Sequence, residues 1–312
     1  MSSIGTPFDG QRVLVTGANG FIGQHALARL RQTGAELCTL TRDPIKDPSA
    51  LTQYHGDIRD PGFVEDAVRA SNPAFIFHLC AYKSRADDVG QFAPAIQTNL
   101  VGSLNLISAA TRLPGLRSIV TVGTAEEYGG NPTPFAEDMR EQPVSAYSFS
   151  KLCLTQLSQL LTRVHGIPIS VLRPSLAYGP GQKEDMFLPA LIGTLLRGEP
   201  FNMTAGQQTR DLIYVTDVVN AMLNAATNPR AIGEVFNIGS QNPITMAELA
   251  LTIEKMTGNT GLVRVGALAY RKGEVMNYWV DNQKANRLLQ WAPRVTLEQG
   301  LAQTVAHYRE AY

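Results

Sequence analysis

The 312-residue sequence has no net charge, because 27 Lys and Arg balance 27 Asp and Glu. No basic stripe runs along it, which argues against nucleic acid as the main partner. A small anionic ligand is still compatible, since a few placed arginines suffice to hold one. Cysteine is scarce. Cys38, Cys80 and Cys153 lie far apart with no C-x-x-C pair, so neither a disulfide framework nor a zinc site is indicated. The five histidines show no metal-ligand spacing, and no metal is expected. No apolar run is long enough to span a bilayer. The first residues lack an apolar stretch of signal-peptide length. The expectation is a cytoplasmic protein without a membrane partner.

What the sequence does contain is alternation. A β-branched run, RVLVT at 12–16, ends on glycine and leads into helical periodicity over 21–32. Strand patterns recur at 36–41, 74–79, 118–122 and 169–172, with helical patterns at 63–70, 93–111 and 146–164. Strands alternating with helices imply a parallel sheet covered on both faces, an α/β fold of the doubly wound Rossmann type. After about residue 173 the pattern loosens. Helical stretches follow near 187–197, 216–228 and 245–257. Short strand candidates at 235–238 and 278–280 are expected to return to the sheet or its edge. The division expected is a Rossmann domain over 1–172 and a smaller, interleaved lobe over 173–312.

The loop between the first strand and first helix reads Thr16-Gly17-Ala18-Asn19-Gly20-Phe21-Ile22-Gly23. Glycine at Gly17 permits a tight turn, at Gly20 a close backbone approach to a pyrophosphate, and at Gly23 close helix–strand packing. The helix N-terminus then faces the anion. The strand–turn–helix setting favours a dinucleotide over a plain glycine turn. The second strand ends Leu40-Thr41-Arg42-Asp43. An acid at this tip grips the ribose 2′-hydroxyl of NAD, and an arginine accommodates the 2′-phosphate of NADP. Thr41 takes the acid's place with Arg42 after it, which favours NADP; a register two residues on, at Asp43, restores NAD.

Tyr147 and Lys151 stand one helical turn apart on a common face. A neighbouring ammonium stabilises a phenolate and is expected to lower the tyrosine pKa toward a range useful for acid–base work. Thr124, just after the strand at 118–122, is placed to hydrogen-bond the same substrate oxygen. The expected activity is hydride transfer with a nicotinamide cofactor.

The set TGANGFIG (16–23), GDIRD (56–60), HLCA (78–81), TNLVGSLNL (98–106), GTAEEYG (123–129), YSFSK (147–151), LRPSLAYGPG (172–181), RDLIYVTDV (210–218) and FNIGS (236–240) resembles an extended short-chain dehydrogenase/reductase of the branch that modifies nucleotide sugars. The resemblance covers nearly the whole chain. It implies that Gly17, Asn19, Gly20, Phe21, Ile22 and Gly23 hold the cofactor, with Thr41 and Arg42 at its ribose and Asp57 and Ile58 at its adenine. Leu79, Ala81, Asn99 and Pro174 would line the same cleft. Tyr147 would be the acid/base, Lys151 would also hold the nicotinamide ribose, and Thr124 and Glu126 would act on the sugar. Arg210 and Arg271 would grip the nucleotide diphosphate through their planar forks. Lys83 resembles a lysine of 4-epimerases. The resemblance also implies a homodimer joined through the helices near 93–111 and 146–164.

Two positions depart from the branch's patterns. Leu176 stands where sugar-nucleotide enzymes usually carry asparagine near the diphosphate. Ala125 stands where many 4,6-dehydratases carry an acid. With Arg42 favouring NADPH and Ala125 arguing against dehydration, the leading expectation is an NADPH-dependent 4-keto-sugar reductase, with a 4-epimerase or 4,6-dehydratase as the alternative. A reductase of another small carbonyl compound and a non-catalytic NADP sensor are further readings.

Overall fold

The computed structural model describes residues 6–45, 49, 51–84, 88–271 and 273–310. Seven parallel strands form its centre: β1 (Arg12–Thr16), β2 (Glu36–Thr41), β3 (Leu51–His55), β4 (Phe75–His78), β5 (Ser118–Val122), β6 (Ile169–Pro174) and, later in the chain, β11 (Val235–Ile238). Their spatial order is β11-β6-β5-β4-β1-β2-β3. The chain first runs outward from β1 through β2 to β3 and then resumes at β4 on the other side of β1. That reversal opens a crevice at the carboxyl ends of β1 and β4, where ligands of doubly wound sheets bind.

Strand residues sort by parity, as a pleat with two buried faces requires. Leu14, Ile76, Ile119 and Ile169 pack on one face with α2 (Pro61–Ser71), α4 (Gly102–Ala110) and α5 (Ala146–His165). Val13, Val15, Phe75, Phe77, Val120, Val122 and Leu172 pack on the other with α1 (Phe21–Arg31), α7 (Val215–Thr227) and α9 (Gln283–Leu289). A third core is built from α6 (Phe187–Leu196), α8 (Met246–Thr257) and α10 (Leu297–Arg309). Short pairs attach to it: β7 (Leu176–Tyr178) with β10 (Leu212–Tyr214), β9 (Thr209–Arg210) with β12 (Ile244–Thr245), and β8 (Phe201–Asn202) with β13 (Val263–Arg264).

Helix ends follow local chemistry. Ser145 and Ser148 cap α5 reciprocally, and Gly166, at φ 67°, closes it in the left-handed region. The helix expected over 93–111 is three segments in series: α3 (Phe92–Ile96), a π-turn at Gln97–Val101 and α4. The expected edge strand at 235–238 is β11, beside β6. At 278–280 only Val280 pairs, with Phe135 and outside the large sheet. β3 was not anticipated, because LTQYH is half-polar with no clean alternation. No helix among the described residues is long and apolar enough to cross a membrane.

Candidate active site

The crevice starts at Gly17. Its φ is 67°, and a Cβ there would lie 2.6 Å from the Cys80 amide nitrogen. Glycine is thus needed both for the turn and for the approach of β1's end to β4's end. A Cβ on Gly23 would lie 2.4 Å from the Gly17 carbonyl oxygen, so Gly23 lets α1 start directly against the loop. No side chain caps α1 at Gly20, which leaves its first amide groups free to take an anion. Asn19 Nδ2 donates to the Asp43 carbonyl (2.7 Å), and Thr41 Oγ1 donates to the same oxygen (2.8 Å). These bonds join the glycine loop to the tip of β2. Arg42 is exposed there, and its charge reaches Asp57 and Cys80. Asp57 is held below the usual carboxylate range, chiefly by Arg59. The Ile58 side chain packs in the core against Gly102. This cradle, with an uncapped helix start and a guanidinium at the rim, fits a nicotinamide dinucleotide.

Beneath it runs a buried chain of polar groups. His78 Nδ1 meets Thr16 Oγ1 (2.7 Å), and Nε2 meets Ser103 Oγ (2.7 Å). Ser103 donates to the Asn99 carbonyl (2.6 Å), so its oxygen accepts from His78 Nε2–H, and Nδ1 accepts from Thr16. Burial, with Lys151 nearby, drives the His78 pKa down to about 3 and keeps the ring neutral. Asn99, in the π-turn, accepts from the Tyr82 amide (2.6 Å) and donates to the Tyr82 carbonyl and to Ser150 Oγ. Its amide is engaged with protein and positions the segment after β4. Leu79 donates its amide to β1's end. Ala81 is exposed beside it, and Pro174 is buried at the end of β6.

Lys83, Thr124, Glu126 and Tyr147 come together. Lys83 Nζ donates to Glu126 Oε1 (2.9 Å) and lies 4.6 Å from the Tyr147 ring centroid. Thr124 caps the short 3₁₀ turn Ala125–Tyr128 and accepts from the Glu126 amide. Lys151 Nζ, fully buried, donates to the Val122 carbonyl (2.8 Å). Burial pulls Lys151 down to about 8 against the pull of Glu127. The expected lowering of the Tyr147 pKa is reversed. Burial pushes it up to about 12, Lys83 opposes this, and Glu126 and Glu127 add to it. The reason is that desolvation of a phenolate outweighs the nearby ammonium.

Some contributors were not picked out from sequence. Glu127 is wholly buried and paired with Arg173 (2.7 Å), whose guanidinium also meets Glu141 (2.7 Å) and the Tyr128 hydroxyl (2.9 Å). Tyr278 is buried with its phenol beside Thr124 and edge-on to Phe135. Leu176 and the fully buried Ala125 belong to the same apolar cluster. Arg210 is not open as expected, because its fork donates to Glu274 (2.5 Å) and to the Val275 and Thr209 carbonyls (both 2.8 Å). Arg271 is exposed, in the turn that leads to Glu274.

The family model described as NAD dependent epimerase/dehydratase family matches residues 13–239. The chain is 27% identical over 96% of its length to the uncharacterised UDP-glucose epimerase YtcB of Bacillus subtilis, 99% of which is covered. The crystal structure of UDP-glucose 4-epimerase with UDP-glucose from Thermotoga maritima superposes with a TM-score of 0.89 at 30% identity, covering 96% of this chain and 99% of that one. MoeE5 in complex with UDP-glucuronic acid and NAD superposes with a TM-score of 0.87 at 31% identity and the same coverage. The chain therefore belongs to the NAD dependent epimerase/dehydratase family and is an enzyme of the extended short-chain dehydrogenase/reductase type.

Proposed function

We propose that the enzyme moves hydride to and from C4 of a nucleotide-linked hexose, with Tyr147 exchanging the proton of the C4 oxygen. The observation that carries this reading is that Lys83 lies over the Tyr147 ring while it pairs with Glu126, whose amide donates to Thr124. In this reading a phenol, a hydroxyl and a carboxylate–ammonium pair face the crevice that begins at Gly17. Tyr147 takes or gives the proton while Thr124 donates a hydrogen bond to the same oxygen. Lys151 holds the nicotinamide ribose. Glu126 and Lys83 exchange their mutual bond for sugar hydroxyls. Arg210 trades Glu274 for the diphosphate, and Arg271 closes over it from the neighbouring turn. Gly17, Asn19, Gly20, Phe21, Ile22, Gly23, Thr41, Arg42, Asp57, Ile58, Leu79, Ala81, Asn99 and Pro174 form the dinucleotide cleft. The dinucleotide supplies reversible hydride acceptance.

Redox-neutral epimerisation at C4 is the favoured net reaction, because the similar structures named above carry UDP-sugars and one carries NAD. Reduction of a 4-keto sugar by NADPH is the second reading. It is favoured by Arg42 at the β2 tip, while Ala125, which cannot protonate a leaving hydroxyl, argues against dehydration. Incubation with UDP-, dTDP- and GDP-hexoses, and with their 4-keto derivatives, separates the two. An epimer formed without net cofactor use supports the first, and stoichiometric NADPH oxidation supports the second. Full turnover by Tyr147→Phe would sink both.

The enzyme works as a homodimer in this reading. Phe149, Leu160 and Val164 share one exposed face of α5, and Phe92 and Leu104 on α3 and α4 are exposed as well. Phe92 and Phe149 touch, with ring centroids 5.9 Å apart. Sedimentation of Leu160→Glu tests this: it should run as a monomer, and an unaltered sedimentation coefficient argues for a different interface.

A further inference from the structure

Of the two adjacent glutamates in the loop after β5, Glu126 faces Lys83 and Glu127 turns inward. Glu127 Oε1 accepts from the Thr124 amide (2.9 Å). Its Oε2 accepts from Thr155 Oγ1 (2.9 Å), Arg173 Nε (2.8 Å) and Arg173 Nη2 (2.7 Å). Every partner donates, which favours the ionised carboxylate against the burial that pushes its pKa up. Thr155 lies one turn beyond Lys151 on α5, so one carboxylate ties the Thr124 loop to the helix that carries Tyr147 and Lys151.

Gly123 gives this carboxylate its place. A Cβ on Gly123 would lie 2.4 Å from Glu127 Oε1 and 3.3 Å from Thr155 Oγ1. The residue before it, Val122, takes the Lys151 ammonium on its carbonyl. Ammonium and carboxylate thus meet consecutive residues at the exit of β5. Charge balance points the same way. Arg173 is shared between Glu127 and Glu141, so one guanidinium faces two carboxylates, and Lys151 supplies the second positive charge. An isolated buried charge is costly, and a paired one much less so.

We propose that Glu127 is a positioning residue for the C4 reaction, holding Thr124 and the Lys151 turn of α5 in place and keeping the Lys151 ammonium charged. The proposal rests on the reading of Lys151 as the ribose-holding group. The groups that face Lys151 are His78 at the end of β4, Cys80 and Lys83 beyond it, and Glu127 behind β5, with Tyr147 on its own helix. Burial pulls Lys151 downward, Glu127 is the largest opposing influence, and Cys80 adds to it while Lys83 opposes it.

The test is the pH dependence of NADPH and NADH binding, followed by fluorescence from about pH 6 to about pH 10. In the parent enzyme the affinity falls where Lys151 loses its proton. In Glu127→Gln, which keeps the size of the side chain, that midpoint moves down by about one pH unit. Thr155→Val, which loosens the carboxylate without removing it, moves the midpoint the same way by less. Lys151→Met lacks the transition. A role confined to packing lowers the melting temperature of Glu127→Gln and leaves the midpoint alone. An unmoved midpoint in Glu127→Gln overturns the proposal, provided Lys151→Met lacks the transition. If Glu127→Gln does not fold, an unmoved midpoint in Thr155→Val does so. A transition that persists in Lys151→Met brings down the ribose-holding reading of Lys151 instead.

Discussion

Lys83 lies across the face of Tyr147, with its ammonium 4.6 Å from the ring centroid, while it pairs with Glu126 at 2.9 Å. The pair joins the segment after β4 to the loop after β5 over the phenol. Lys83 is the strongest influence opposing the burial that raises the Tyr147 pKa. Removing it should make the phenolate rarer at any given pH. Lys83→Met should lower kcat roughly tenfold near neutrality, the effect of about one pKa unit on Tyr147. It should also move the rising limb of the pH–rate profile upward. A pH profile of Lys83→Met that overlays the parent's removes Lys83 from the account.

Tyr147→Phe keeps the ring and removes the hydroxyl. Turnover should fall by about 10²–10⁴, the range for loss of a positioned acid or base. Dinucleotide binding should persist, because the glycine loop does not depend on the phenol. Fluorescence titration beside steady-state kinetics separates the two effects.

Arg42→Ala tests the choice of dinucleotide. Loss of a charge-assisted hydrogen bond to a 2′-phosphate should weaken NADPH by about tenfold or more, with NADH little changed. Equal affinities before and after the substitution favour NAD, held through the Asp43 end of the same tip.

His78 predicts an acid limb in stability. Unfolded, it titrates near the ordinary imidazole value of 6.5; folded, it stays neutral until about pH 3. Between those values the unfolded chain binds the extra proton, so stability falls as pH falls. The loss from this group is about 1.4 kcal/mol per pH unit within that window, and it levels off below. Urea unfolding across the window should show a shallower limb for His78→Gln than for the parent. Equal slopes place the acid sensitivity elsewhere.

Much of the fold is legible in the sequence, because β-branched runs such as RVLVT must be buried on both faces and the glycine loop has few alternatives. Thr124 and Tyr147 are read from their places after a strand and one helical turn before Lys151, whereas Glu126 and Lys83 come only from the family resemblance. Other features are not legible. The upward shift of Tyr147 comes from burial, which no spacing encodes. The inward turn of Glu127 depends on Arg173, 46 residues away in the chain. The one available signal is a glycine, Gly123, three residues before a pair of acids. The Arg210 fork is not legible as closed because its partner Glu274 lies 64 residues away in the chain.

The central claim is hydride exchange between C4 of a nucleotide-linked hexose and the nicotinamide. The most direct measurement supplies UDP-glucose deuterated at C4, quenches the reaction within the first turnover and weighs the released dinucleotide by mass spectrometry. The account predicts deuterium on the dinucleotide in the parent enzyme and none in Tyr147→Phe. Product formed while the dinucleotide stays unlabelled would contradict it.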